Sequence, residues 1–362
     1  MTTRQTTRTP QQTARQTTRQ QRIGSGFHAR STADDVLADI DLTGTTALVT
    51  GGSSGLGLEA TRALARAGAR VVVPARRPAE AREALRGIAA AEVHPLDLAD
   101  LESVRVFAER FLETGRPLRI LINGAGVMAC PETRVGPGWE AHFAINHLGH
   151  FALVQHLRPA FAPGARVVSV ASSGHFLSDI RWHDLHFRTG YDRWLAYAQS
   201  KTANALFALR LDTLGGERGP RAFAVHPGSI LTPLQRHVPR EQWAALGWVT
   251  PDGQPAEGFK TPRQGAATAV WAATSPLLAG HGGAYCQDCD IAEPATTDDM
   301  LVGGVKPWAV DPAAAARLWE ISSELTGLDA FPGPGEGAGQ RSRPRGFNGV
   351  AGSSGARSGA PA

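Results

Sequence analysis

Thr45-Thr46-Ala47-Leu48-Val49-Thr50-Gly51-Gly52-Ser53-Ser54-Gly55-Leu56-Gly57 is the stretch whose reading decides the fold of this 362-residue chain. Residues 45–50 are β-branched and apolar, which predicts a short strand. A glycine-rich turn follows, and then Leu58, Ala60, Leu64 and Ala67 recur at helical spacing up to Gly68. A glycine pattern alone is more often a plain turn. Between a strand and a helix it suits a nucleotide, because glycines let the backbone approach a pyrophosphate and free N–H groups at the helix start favour its charge.

Residues 70–75 supply the second strand of a βαβ unit, which ends Ala75-Arg76-Arg77. In dinucleotide folds an acid at this point takes the ribose 2′-OH, whereas a base accommodates a 2′-phosphate. The pair of arginines therefore favours NADP over NAD, with two solvated arginines as the plain alternative. Strand and helix patterns keep alternating. Strands are predicted over 92–96, 118–122, 165–171 and 222–225, and helices over 101–112 and 140–161. This alternation predicts an α/β, Rossmann-type, doubly wound parallel sheet with helices on both faces. The polar and glycine motifs fall at or just past the carboxyl ends of strands, where open α/β sheets bind ligands.

Trp194 to Leu214 reads as one long helix, since no Gly or Pro interrupts it before Gly215. Within it, Tyr197 and Lys201 are four apart and share a face. A phenol is a poor proton carrier at neutral pH, and an ammonium one turn away favours its ionised form. Such a pair is common on exposed helices, so its weight comes from the motifs upstream.

Residues 1–33 are Thr, Arg and Gln with no acid, and residues 331–362 are rich in Gly, Pro, Ser and Arg. Both read as disordered tails around a single dehydrogenase-sized domain over 34–330. The net charge of +4 resides in those tails, for example in Arg4, Arg8, Arg341 and Arg343. The predicted domain is therefore close to neutral or slightly acidic, which disfavours a nucleic-acid partner. Three cysteines make no disulfide framework, and the Cys286–Cys289 spacing lacks a second ligand pair, so no metal site is expected. No membrane-length apolar run or signal pattern is present, which points to a cytoplasmic location.

Thr50-Gly51-x-x-x-Gly55-x-Gly57, Asp97, Asn123-x-Ala125-Gly126, Asn146, Ser173, Tyr197-x-x-x-Lys201 and Pro227-Gly228 stand in the order of the short-chain dehydrogenase/reductase family. The resemblance covers about residues 40–325. Asn146-His147-Leu148-Gly149-His150-Phe151 and the Tyr197 to Asn204 stretch resemble its retinol dehydrogenase and WW-domain oxidoreductase subgroup. The resemblance implies Tyr197 as acid/base and Lys201 as the residue that binds the nicotinamide ribose and lowers the Tyr197 pKa. It implies Ser173 on the substrate oxygen, and Asn146 holding a water that links Lys201 to solvent. On the cofactor side it implies Gly51, Ser53, Ser54, Gly55, Leu56 and Gly57 at the phosphates, with Arg76 accompanying NADP. Asp97 and Leu98 would lie at the adenine and Asn123, Ala125 and Gly126 near its ribose. Pro227, Gly228, Ile230 and Thr232 would flank the nicotinamide. Gly124 departs from the family, which usually has a second Asn there as a polar brace between strands. His142, His147 and His150 are read as packing or surface residues, and Tyr191 is a rival phenol without a lysine four residues on.

Residues 229–264 interrupt the alternation where the family carries its substrate lid. Trp243, Leu246, Trp248 and Phe259 there, with Phe176, Trp182, Phe187 and Trp194 in the preceding loop, imply a hydrophobic pocket for a small-molecule carbonyl or alcohol. The competing reading is a non-catalytic NADP(H)-sensing regulator that docks a partner protein. A homo-oligomeric state stays open.

Overall fold

The computed structural model describes residues 20–216 and 219–331. In chain order its regular elements are α1 (Ala33–Leu37), β1 (Thr46–Thr50), α2 (Gly55–Arg66), β2 (Arg70–Ala75), α3 (Pro78–Ala84), β3 (Ala91–Pro95), α4 (Leu101–Glu113) and β4 (Leu118–Asn123). Next come the hairpin β5 (Arg134–Val135) and β6 (Trp139–Glu140), and a π-helical turn (Phe143–Leu148) running into α5 (Gly149–Leu157). After these come β7 (Phe161–Val170), α6 (Arg193–Gly215), β8 (Arg221–His226), α7 (Pro262–Thr274), β9 (Tyr285–Gln287), β10 (Asp290–Ile291) and α8 (Pro312–Thr326).

The main sheet has the order β10-β9-β8-β7-β4-β1-β2-β3, parallel throughout except for the β9–β10 pair. Its strands are buried on both faces, which is why they read as continuous apolar runs rather than alternating ones. Ala47, Val49, Val71, Val73, Ile120 and Ile122 point to a layer built with α1, α2 and α7. Leu48, Val72, Leu121, Val167 and Ala222 point to the opposite layer, built with α4, α5 and α6. Truncating a fully buried leucine such as Leu48 to Ala is worth about 2–5 kcal/mol. Strand order reverses between β1 and β4, so their carboxyl ends diverge around a crevice, the switch point of an open sheet.

The predicted helix over 140–161 is corrected in the structure. Glu140 belongs to β6, and its carboxylate accepts the N–H groups of His142 (2.9 Å) and Phe143 (2.8 Å), so the helical segment starts only after it, at Ala141, and turns π-helical at Phe143. Its α-helical part stops at Leu157, two residues before Pro159, whose ring cannot continue the ladder.

The tail expected over 1–33 is corrected for its last part. Ile23 and Phe27 pack against the α2–α7 layer. The N–H groups of Ile23 and Gly24 donate to the buried Asp290 carboxylate at 2.8 and 3.2 Å. Arg30 donates to the Phe259 carbonyl at 2.8 Å, and α1 lies on α7 and α2. Two large apolar residues were diluted by the Thr, Arg and Gln around them, and composition cannot register backbone donors. Residues 1–19 and 332–362 lie outside the described residues. Phe331, assigned to the rear tail, is buried against Trp319. No helix among the described residues is long and apolar enough to cross a membrane.

Candidate active site

α6 starts at Asp192, whose Oδ1 accepts the N–H groups of Trp194 (2.8 Å) and Leu195 (2.9 Å). The helix is buried around most of its circumference because it runs between the sheet and α8, so no amphipathic stripe marks it. One turn in, Tyr197 and Lys201 share a face, and Lys201 Nζ is 5.7 Å from the Tyr197 ring centroid. Lys201 Nζ donates to the Val170 carbonyl at 2.8 Å, which ties the helix to the end of β7. Burial dominates both groups. It pushes the Tyr197 phenol up to about 12 and the Lys201 ammonium down to about 8. The expected lowering of the Tyr197 pKa by Lys201 does not emerge. The contact that opposes the rise is a hydrogen bond with Ser172.

That contact also corrects the serine. Ser173 was expected on the substrate oxygen, but Ser172 is the one that reaches Tyr197. Ser172 is extended and caps the tight turn Ser173–Leu177 that follows β7, and Ser173 is the first residue of that turn, so the two side chains leave the backbone differently. Ser172 Oγ accepts the Gly174 N–H at 3.0 Å, and the N–H of Ser173 is held by His226 Nδ1 at 3.0 Å.

Asn146 sits inside the π-helical turn, an irregularity common at functional sites. Its Oδ1 accepts from Val127 N at 2.9 Å, while its Nδ2 donates to Val127 O (3.0 Å) and Ser200 Oγ (2.9 Å). The amide thus clamps the chain after β4 onto α6 between Tyr197 and Lys201. Its direct side-chain partners are Val127 and Ser200 rather than groups at Lys201.

A cavity of about 1120 Å³ runs along the carboxyl ends of β1, β2, β4 and β7. Of the cofactor-side residues read from the sequence, all but Asn123 line it. Asn123 is buried beneath the sheet end, and both its amide atoms lack a partner in the described structure. The glycine turn is cut for close approach. A Cβ on Gly57 would overlap the Gly51 carbonyl, and one on Gly51 would meet Ala125 Cα at 3.0 Å. The side chain of Ser54 makes no capping bond, so the first turn of α2 keeps uncapped N–H groups at the cavity. Arg76 has no ion-pair partner among the described residues, whereas Arg77 pairs with Glu80 at 3.1 Å. Uncapped donors, a side-chain-free cradle and an unpaired cation together fit an anionic dinucleotide.

The brace that Gly124 lacks comes from elsewhere. Thr50 Oγ1 accepts the N–H groups of Gly124 (2.9 Å) and Ala125 (3.1 Å), joining the ends of β1 and β4. On the far side of the cavity, Tyr197 packs with Met128, Val238, Trp194, Leu234, Trp243 and Trp248. The rings of Trp194 and Trp248 are 6.0 Å apart. Phe176, Trp182 and Phe187, expected at the pocket, pack elsewhere. Phe176 lies against His175, Trp182 under Arg317, and Phe187 under Arg181.

The three helix-region histidines are all buried in hydrogen-bonded positions. His142 Nδ1 is 2.7 Å from Glu140, His147 Nε2 is 2.8 Å from Ser322 Oγ, and His150 meets Thr50 and Asn146 O. Tyr191 donates to the Cys130 carbonyl at 2.9 Å, burial raises its pKa, and unlike Tyr197 it does not line the cavity. Cys286 lies on β9 and Cys289 in the β9–β10 turn at positive φ, both buried as free thiols.

A family model described as short chain dehydrogenase matches residues 45–243. The chain is 45% identical over 300 residues to a Streptomyces lividans protein named "Probable oxidoreductase", covering 79% of this chain and 98% of the other. It is 40% identical to polyprenol dehydrogenase of Mus musculus (78% and 84% covered) and 35% identical to retinol dehydrogenase 11 of the same species (80% and 89%). Among solved structures, an uncharacterised Mycobacterium paratuberculosis protein superposes with a TM-score of 0.63 at 34% identity, covering 82% of this chain and 98% of that one. A Burkholderia cenocepacia short chain dehydrogenase in complex with NADP gives 0.55 at 25% identity, with 68% and 96% covered.

Proposed function

The chain belongs to the short-chain dehydrogenase/reductase family and is an oxidoreductase, and from that premise we propose that it moves a hydride between NADP(H) and a carbonyl or alcohol carbon of a lipophilic substrate. The observation that carries this reading is the convergence of Tyr197, Ser172 and Lys201 on the cavity whose other arm is the glycine cradle.

The dinucleotide, when bound, supplies or takes up the hydride; the protein handles the proton and the geometry. In reduction, Tyr197 gives its phenolic proton to the substrate oxygen as negative charge develops there, and in oxidation it takes that proton back. Ser172 holds the same oxygen from a second side and supports the phenolate that results. Lys201, fixed by Val170, has donor capacity left for the nicotinamide ribose. Its ammonium pKa of about 8 keeps it largely charged near neutrality. Asn146 acts through position, locking the loop after β4 against Ser200 so that the Tyr197 face meets the cavity.

NADP is favoured by Arg76, which has no carboxylate partner among the described residues, and by the NADP found in the similar Burkholderia cenocepacia protein. A lipophilic substrate is favoured by the tryptophan-lined wall. Two similar proteins are also named for polyprenol and retinol.

The test is a panel of lipophilic aldehydes, ketones and secondary alcohols with NADPH or NADP, followed by nicotinamide absorbance, beside Tyr197→Phe. Turnover with NADPH that is abolished in Tyr197→Phe while cofactor still binds supports the reading. Equal turnover in the variant overturns it.

A further inference from the structure

Three arginines from two distant parts of the chain line one cavity. Arg76 and Arg77 directly follow β2, and Arg236 sits in the tight turn Pro233–His237 near the start of the 229–264 segment. Among the described residues neither Arg76 nor Arg236 has a carboxylate partner, and the one hydrogen bond of Arg236 goes to the Pro233 carbonyl at 3.2 Å. The guanidinium of Arg236 is lowered from its usual pKa first by burial and then by charges that include those of Arg76 and Arg77, and all three residues line the same cavity.

Arg236 is placed by a rigid turn. Thr232 N donates to Gln235 Oε1 at 2.9 Å, Leu234 N donates to Thr232 Oγ1 at 3.2 Å, and Gln235 Nε2 donates to the Ile230 carbonyl at 2.7 Å. The turn rests on the glycine cradle, since a Cβ on Gly55 would touch Thr232 Cβ at 3.3 Å. A cluster of cations held together without acids to neutralise it lacks its counter-charge. Of the acids that line the cavity, Glu80 is engaged by Arg77, and neither Asp97 nor Asp192 pairs with any of the three arginines among the described residues.

We propose that Arg236 is a specificity-determining residue that closes, together with Arg76 and Arg77, on the 2′-phosphate of NADP(H), and thereby draws the 229–264 segment over the substrate cavity. This rests on the NADP(H) reading above and adds a coupling to it. A phosphate monoester carries nearly two charges and several acceptor oxygens, which planar guanidinium groups bind in pairs. NADH carries no such group, so the three cations stay unneutralised and the segment is not drawn in. Cofactor identity then decides whether the substrate wall closes.

The experiment is calorimetric titration of the full chain with adenosine 2′,5′-bisphosphate, ADP, NADPH and NADH, using wild type, Arg236→Ala and the double variant Arg76→Ala/Arg77→Ala. Melting temperatures serve as a fold check. Trypsin cleavage after Arg240 and Lys260 is followed with each cofactor. Arg236→Ala is expected to weaken adenosine 2′,5′-bisphosphate and NADPH by about tenfold or more, while ADP and NADH stay within about twofold. NADPH, but not NADH, should protect the wild-type segment from trypsin, and neither should protect Arg236→Ala. Equal weakening of all four ligands would put Arg236 on the pyrophosphate and overturn the inference, and so would no weakening at all. Equal protection by both cofactors overturns the coupling. If wild type prefers NADH, the NADP(H) reading falls and takes this inference with it. If the double variant loses the preference while Arg236→Ala keeps it, only the inference falls.

Discussion

Thr50 Oγ1 and His150 Nε2 lie 2.8 Å apart, and His150 Nδ1 is 3.0 Å from the Asn146 carbonyl. The carbonyl can only accept, so the ring proton sits on Nδ1 and Thr50 donates to Nε2. With its two accepted N–H bonds from Gly124 and Ala125, this one hydroxyl joins β1, the turn after β4 and the start of α5. Thr50→Val preserves shape and removes all three bonds. The expected cost is about 1–3 kcal/mol in urea unfolding, together with weaker dinucleotide binding. A variant as stable as wild type would show that the junction is held by packing alone.

His147 and His150 are fully buried, and burial is the leading cause that lowers them to about 3 and about 4. In the unfolded chain both return to about 6.5, so below that pH the unfolded state binds more protons than the folded one. Stability is complete above pH ~6.5 and declines as pH falls towards 4, by up to about 1.4 kcal/mol per pH unit per site. His147→Gln, which keeps a partner for Ser322, is expected to make the decline shallower by about one proton. An unchanged slope in chemical denaturation between pH 6 and 4 would rule His147 out as a contributor.

Adjacent serines give a sharp comparison. Ser172→Ala is expected to lower turnover by about 10²–10³ with little change in cofactor affinity, because it removes a donor to the reacting oxygen. Ser173→Ala should stay within about threefold, since its fixed contact is a backbone N–H that the substitution keeps. If the two variants exchanged places in a steady-state assay, the assignment to Ser172 would be wrong.

Deleting residues 20–33 is expected to lower the melting temperature by several degrees. It exposes the apolar surface under Ile23 and Phe27 and strips the Asp290 carboxylate, 2% exposed, of the Ile23 and Gly24 N–H donors, leaving it that of Ile291. Asp290→Asn in the full chain should give a smaller drop, because an amide oxygen still accepts one of the two N–H groups. Unchanged melting on deletion would mean that the segment adds nothing to the core.

The sequence made the sheet legible because β1, β2 and β4 are apolar runs set off by glycines or polar residues, and because Tyr197 and Lys201 keep helical spacing on either side of buried residues. Ser172 escaped because two identical adjacent residues cannot be told apart by composition, and the tight turn that Ser172 caps and Ser173 begins carries no signal of its own. The Phe143–Leu148 π turn was invisible since apolar spacing does not distinguish one inserted residue in a buried helix. Arg236 lies in an irregular segment, and only tertiary placement brings it near Arg76. The missing Asn at position 124 signalled a lost brace, but nothing in the sequence announced that Thr50 and His150, one hundred positions apart, replace it.

The bonds from Ile23 and Gly24 to Asp290 span 267 and 266 positions, and Arg30 reaches Phe259 across 229. On a ribosome the earliest of these residues emerges long before its partner exists. The first part of the packed domain to be made must wait, unpaired, until β9 and β10 have left the exit tunnel. Docking of this strap is therefore a late event in folding, since closing so long a loop is rewarded only when the sheet edge is in place. Contacts made after the rate-limiting step leave the folding rate nearly untouched and act on the unfolding rate instead. Residues 20–33 are thus expected to act as a kinetic clasp, setting how long a finished molecule stays shut rather than how fast it is finished.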